Sequence, residues 1–167
     1  MEKFTVDEIT TMSRDELEIL FSKQNDHELK LPGSAIYKGQ YLLRIDSDGA
    51  GKWYNRYPQE LMFNFVPFGL NFFNDKKKKY ASGDWYFFHR RLCAGSFEMI
   101  PGQSRWRNTN SIALNYNNSF LPSIIKNILY DEIKYIGNNI YLGIGGVNKE
   151  TGNGDHFYFV LSPAYLF

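Results

Sequence analysis

Residues 111–163 read SIALNYNNSFLPSIIKNILYDEIKYIGNNIYLGIGGVNKETGNGDHFYFVLSP. Four short runs of mixed apolar and polar residues stand here: Ser111–Asn118, Leu129–Ile136, Ile140–Val147 and His156–Leu161. Connectors rich in Gly, Asn or Pro separate them, which is the pattern of an antiparallel sheet closing on itself. Gly137-Asn138-Asn139 makes a tight hairpin link, because Asn and Gly tolerate positive φ. Lys149–Asp155 makes a looser one, and Pro122–Asn127 reads as one short helical turn. Successive strand residues point to opposite faces. Leu129, Asp131, Ile133 and Tyr135 therefore share one face, and Tyr130, Glu132, Lys134 and Ile136 the other. The first set is the more apolar and is expected to face inward. Glu132 and Lys134 are expected to reach solvent.

Upstream, Ser34–Ile45 reads as a long strand whose one face carries Tyr37, Gly39 and Tyr41. Gly39 in mid-strand predicts a bend. Phe68–Phe73 is a strand, and Asp84–Cys93 and Ala94–Ile100 are two more, bent or separated around Gly95. Pro101-Gly102 is expected to turn the chain into a loop over Gln103–Asn110. Asp46–Gly51 reads as a turn, Pro58–Phe65 as a short helix and Asn74–Gly83 as a polar loop. Residues 5–24 read as a helical segment. Thr5 with Glu8 and Ser13 with Glu16 match the capping-box pattern, and Leu17, Leu20 and Phe21 form one apolar stripe. That stripe is expected to pack on the barrel or plug one end of it. A partner-binding helix is the sharper alternative. The fold expected is mainly β: one domain over residues 1–167, an antiparallel barrel of eight or nine strands with an N-terminal helix and short helical turns. An eight-stranded barrel is filled by side chains or holds one small ligand.

The chain has 167 residues, enough for one domain with a substantial core. Aromatics are 17% of it, which implies either a thick core or a cavity walled by rings. A net charge of +1 argues against a nucleic-acid or anionic-membrane partner. The single cysteine, Cys93, precludes an internal disulfide framework. The first residues lack a signal peptide's apolar core, and no run approaches the roughly 20 apolar residues of a membrane span. The location expected is the cytoplasm.

Asp131 is the first candidate for chemistry. An inward carboxylate needs hydrogen-bond partners or a raised pKa. It could anchor a polar ligand group or act as a general base; the plainer alternative is a structural carboxylate. Tyr116, on the apolar face with Ile112 and Leu114, is expected inside, where core packing competes with a contact to Asp131. Arg90-Arg91 and Arg105-Trp106-Arg107 are basic-aromatic clusters. Base stacking on Trp106 is one reading, and a Trp capping the barrel beside solvated arginines is another. Arginines at the mouth holding a ligand acid are a third. His89 and Cys93 on one extended strand would stand roughly 13 Å apart, too far for a nucleophile and base. The histidines at 27, 89 and 156 lack metal-ligand spacing. Asp46-Ser47-Asp48-Gly49 begins like a calcium loop but reaches Tyr57 where a glutamate is needed. Gly143-Ile144-Gly145-Gly146 has no following helix to make a phosphate loop, so these glycines are read as room for a bend or a ligand. Lys76–Lys79 reads as a solvated loop tip, with phosphate binding as the alternative.

Four segments carry a resemblance. Asn115-Tyr116-Asn117, Tyr130-Asp131-Glu132-Ile133-Lys134 and Tyr141-Leu142-Gly143, followed by Phe157-Tyr158-Phe159, resemble the C-terminal half of small bacterial lipocalin-like (calycin-type) proteins. Their pattern runs D-Y-S, R-D-E-I-R, Y-L-G and F-F-x-L. Pro32-Gly33 and Tyr37-Lys38-Gly39 extend it more loosely, to about two-thirds of the chain. The match departs at Tyr130, where the pattern has arginine, so any ligand acid held by that arginine in relatives would not be held in the same way here. The resemblance implies a ligand-holding barrel and supplies no catalytic residue. The expected function is non-enzymatic binding of a small, largely hydrophobic or amphipathic molecule. Asp131, Tyr116, Arg91, Trp106, Tyr41 and Tyr135 are its expected contacts, and no metal or cofactor is expected. The alternative is an isomerase- or hydrolase-type enzyme using Asp131 as general base.

Overall fold

The structure is a computed structural model and describes residues 4–23, 29–42, 65–74, 79–146 and 157–164. The turn at 46–51 with its calcium-loop pattern, the helix over 58–64, most of the lysine run, the loop at 149–155, His27 and His156 lie outside these residues. Eight antiparallel strands form a closed barrel in sequence order. They are β1 (Ala35–Tyr41), β2 (Phe68–Phe73), β3 (Ser82–Phe87), β4 (Cys93–Gln103), β5 (Asn110–Asn115), β6 (Tyr130–Gly137), β7 (Ile140–Gly146) and β8 (Phe157–Pro163). β1 closes on β8, with Gly39 opposite Leu161, so no sheet edge is left to pair with another chain. Around the barrel run α1 (Val6–Thr11), α2 (Arg14–Ser22) and α3 (Ser123–Ile128).

Several boundaries differ from the sequence reading. The N-terminal segment is two helices, because each capping box starts its own: Thr5 and Ser13 both accept from the N–H three residues on. The strand expected over 84–93 stops at Phe87. Phe88 takes a φ of 63°, and Leu92 N–H bonds to His89 O at 2.8 Å, closing a turn. Gly95 is not the corner. Asp84 pairs with Ser96 and Trp85 with Ala94, so Gly95 is the extra residue of a bulge, at a φ of 75° that favours glycine. Pro101-Gly102 does not turn. β4 runs through it, Pro101 opposite Ile112 and Gly102 opposite Ser111, with its exposed end overhanging the barrel. The Asn138-Asn139 hairpin forms as read, both residues at positive φ (50° and 57°) as a two-residue I′ link requires.

Two apolar layers result. The lumen holds Tyr37, Leu70, Phe72, Phe97, Met99, Ile112, Leu114, Ile133, Tyr141 and Phe159 among others. Several lumen rings lie over glycines directly across the ladder. A Cβ on Gly39 would meet the Phe68 ring at 2.3 Å, and one on Gly143 the Phe159 ring at 2.1 Å. Such Phe–Gly pairs fit bulky rings into a narrow barrel. The second layer lies outside the wall. Ile9, Leu17 and Phe21 of α1 and α2 are wholly buried against Ile136, Leu142, Ile144, Tyr158 and Val160. Burial of each contributes about 1.5–3 kcal/mol. The helices thus cover the outer face of β6–β8 and do not plug an end.

That cover overturns the expectation for Glu132 and Lys134, which are buried. Both point outward, but α2 and the connection 104–109 lie on top of them. Glu132 accepts the Arg105 N–H at 2.6 Å and the Ser111 hydroxyl at 2.9 Å. Lys134 Nζ donates to the Phe21 carbonyl at 2.8 Å, to the Lys23 carbonyl and to Thr109 Oγ1, closing the C-terminal end of α2. Burial pulls the Lys134 ammonium down to about 8.

Candidate functional site

Asp131 faces the lumen as the strand period requires, and is 3% exposed. Its Oδ2 accepts the hydroxyl of Tyr116, and Tyr116 Oη in turn accepts Trp85 Nε1–H at 2.5 Å. β3 supplies the indole, the residue after β5 the phenol and β6 the carboxyl. Burial raises the Asp131 carboxyl to about 7, with the Tyr116 hydroxyl pulling the other way. Burial and the neighbouring Asp131 hold the Tyr116 phenol well above its usual value, so it remains a donor.

The carboxyl stands on the wall of a cavity of about 180 Å³ at one end of the barrel. Phe68, Trp85, Phe87 and Phe157 make its aromatic side, and Leu121, Ile125 and Leu129 cover it from the β5–β6 connection. Ala94 and Ile125 of its lining are exposed, so it reaches the surface. The turn at 88–92 and the β5–β6 connection, which border this end, carry exposed Phe88, Leu92, Phe120 and Ile124. Gly145 is built into the site. A Cβ there would stand 2.2 Å from Asp131 Oδ1 and 2.7 Å from the Phe157 ring, so only glycine leaves room for both.

The opposite end of the lumen is filled. Tyr37 packs on Phe72 and Tyr141 at centroid separations of 5.1 and 5.6 Å, and Tyr135 on Tyr141 at 5.5 Å.

The six expected contacts therefore part company. Asp131 and Tyr116 are joined. Tyr41 lies inside, its ring 5.3 Å from that of Phe157, one layer from the cavity. Tyr135 sits at the filled end, under Lys30 Nζ at 4.5 Å. Arg91 is exposed on the β3–β4 turn. Trp106 neither caps the barrel nor stacks at its mouth; it is buried on the outer wall, 4.8 Å from the Tyr130 ring. Its neighbours are engaged there too. The Arg105 guanidinium lies 4.6 Å over the Tyr130 ring, and Arg107 pairs with Glu18 of α2, Nη2 to Oε2 at 2.7 Å. Burial opposes charge on Glu18, but its bonds from Arg107 and Tyr158 hold it below the usual carboxylate range.

His89 and Cys93 do not share an extended strand, since the turn separates them. His89 Nδ1 accepts the Arg91 N–H at 3.3 Å, and Asn71 Nδ2 donates to Cys93 Sγ at 3.2 Å. Among the described residues no group of three His, Cys, Asp or Glu side chains could hold a metal ion. No helix among them is long and apolar enough to cross a membrane.

Trp85, Phe68, Phe87 and Phe157 were not singled out from the sequence. Trp85 and Phe87 alternate on one face of their run, but which strand would bring them to Asp131 is a matter of barrel register. Comparison with protein-family models, curated proteins and solved structures finds no match.

Proposed function

We propose that this chain is a non-enzymatic binding protein that holds one small, largely apolar molecule in the cavity beside Asp131. The observation that carries the reading is an aromatic-walled cavity of about 180 Å³ with one buried carboxyl on its wall. Ligand sites are mostly apolar with a few placed polar groups. The size is near that of an apolar cavity of about 150 Å³ known to take up benzene. Kinship with lipocalin-like proteins belongs to the same proposal, supported by the closed antiparallel barrel of eight strands. So do a cytoplasmic location and the lack of a nucleic-acid partner; 19 basic against 18 acidic residues support the latter.

Displacement of an environment-sensitive dye by a broad panel of small hydrophobic molecules tests the reading, with native mass spectrometry as a second readout. Wild-type protein should take up at least one class, and Leu121→Trp, which fills the cavity, should not. Silence of the wild type across the panel would sink the idea.

A second reading has one observation in its favour. A carboxyl brought to about 7 in a reachable pocket suits general acid–base chemistry. Asp131 would take or give the proton, with Tyr116 holding its other oxygen. Among the described residues lining the cavity Asp131 is the only charged one, so they supply no second charged group for a developing charge. Binding is therefore preferred.

A further inference from the structure

The two oxygens of Asp131 are used differently. Oδ2 receives the Tyr116 hydroxyl, whose own oxygen is taken by Trp85. Oδ1 has no hydrogen-bond partner among the described residues. It lies in the space that the missing Gly145 side chain leaves open, at the cavity wall. Asp131 itself lines the cavity, so a carboxyl with one oxygen still open borders an apolar space.

The walls add a second demand. Phe68 and Trp85 stand 6.0 Å apart, Trp85 and Phe87 6.4 Å apart and stacked within 19°. Aromatic faces carry negative charge density and attract cations, most strongly where water is excluded. Among the described residues lining the cavity there is no lysine or arginine. An acid ligand would set a second negative charge beside Asp131, with no basic group among the described lining residues to offset it. The arginines considered for that task lie elsewhere: Arg91 is exposed on its turn, and Arg105 and Arg107 are on the outer wall.

We infer that the cavity selects a compact ammonium ligand, its cationic head on Asp131 Oδ1 and its aryl or short alkyl body against Phe68, Trp85 and Phe157. This rests on the binding reading above and names its ligand class. The cation donates to the one oxygen that Tyr116 leaves open, and the rings surround both head and body. A volume of about 180 Å³ admits one aromatic ring with a short chain.

The test compares three probes of nearly equal shape by calorimetric titration of the full chain: 2-phenylethylamine, 2-phenylethanol and phenylacetate. The amine is expected to bind about tenfold or more tightly than the alcohol, the margin of a charge-assisted bond, with phenylacetate weakest. Asp131→Asn should remove that margin and leave the alcohol within about threefold of its wild-type affinity. The wild-type ranking needs no variant, so it decides the matter even if Asp131→Asn does not fold. Alcohol or acid binding as tightly as the amine would overturn the inference while leaving the cavity a ligand site. An amine affinity unchanged in Asp131→Asn would overturn it in the same way. Failure of all three probes to bind would count against this ligand class, and the broad panel above then decides whether the binding reading survives.

Discussion

Asp131 and Glu132 are adjacent carboxylates, both buried, and the barrel treats them oppositely. Glu132 points outward, under α2 and the 104–109 connection, and receives a backbone N–H and a hydroxyl. Its surroundings are closed protein. Asp131 points inward, receives one hydroxyl, and itself lines a cavity. Burial of a charge is tolerated where its bonds are completed within the fold. Where one is left open beside empty space, the group is available to something from outside. One strand thus separates a structural carboxylate from a candidate site by a single residue.

The largest expected effect is the pH dependence that Asp131 brings to stability. Asp131 moves from an ordinary 3.8 to about 7 in the folded chain. The folded state therefore holds a proton that the unfolded chain releases. Stability attributable to Asp131 is intact below about pH 4, falls as pH rises toward 7 and is flat beyond. A rise of that size bounds the fall at roughly 4 kcal/mol. Urea unfolding of wild type minus Asp131→Asn across this window isolates it, and a flat difference would show that the Asp131 carboxyl is not strained by its burial.

Next comes the sealed carboxylate. Glu132→Ala removes the acceptor of the Arg105 N–H and of the Ser111 hydroxyl in a buried layer, at a cost of roughly 3 kcal/mol in urea midpoint measurements. Glu132→Gln, which keeps an acceptor, should cost less. If Glu132→Ala unfolds no more easily than wild type, the outer layer is wet and the two residues are not the opposites described.

Gly145→Ala sharpens the comparison from the Asp131 side. The new methyl collides with Oδ1 and the Phe157 ring, costing about 1–3 kcal/mol. It should also abolish dye uptake while leaving the environment of Glu132 unchanged. A crystal structure of this variant with Asp131 undisplaced would contradict the account of the glycine.

Smallest is Tyr116→Phe. Loss of one bond costs about 1 kcal/mol. Because that bond favours the ionised carboxyl, the pH midpoint of Asp131 should move further up. A downward move, followed by NMR of the carboxyl carbon, would reverse the assigned role of Tyr116.

Much of this was legible in residue order. The period of two put Asp131, Ile133 and Tyr135 on the lumen face, and turn residues marked the hairpin at Asn138-Asn139. Capping pairs marked the N-terminal helical segment but not its division into α1 and α2. Less legible were the break at Phe88, where a bulky residue adopts positive φ, and the continuity at Pro101, where a proline carries a strand on. Both run against local preference and depend on what packs beside them.

What residue order determined by itself is alternation: which side chains lie together on a strand, and hence that one of two neighbouring carboxylates must enter the barrel. Tertiary structure alone decided which lumen end stays hollow, that Trp85 reaches Tyr116, and that Glu132 and Lys134 on the outer face of β6 are covered. Each of these depends on segments distant in the chain, Trp85 from Tyr116 and Phe21 from Lys134. A strand's period reports the direction of its side chains, while the solvent they meet is set by whatever folds over them.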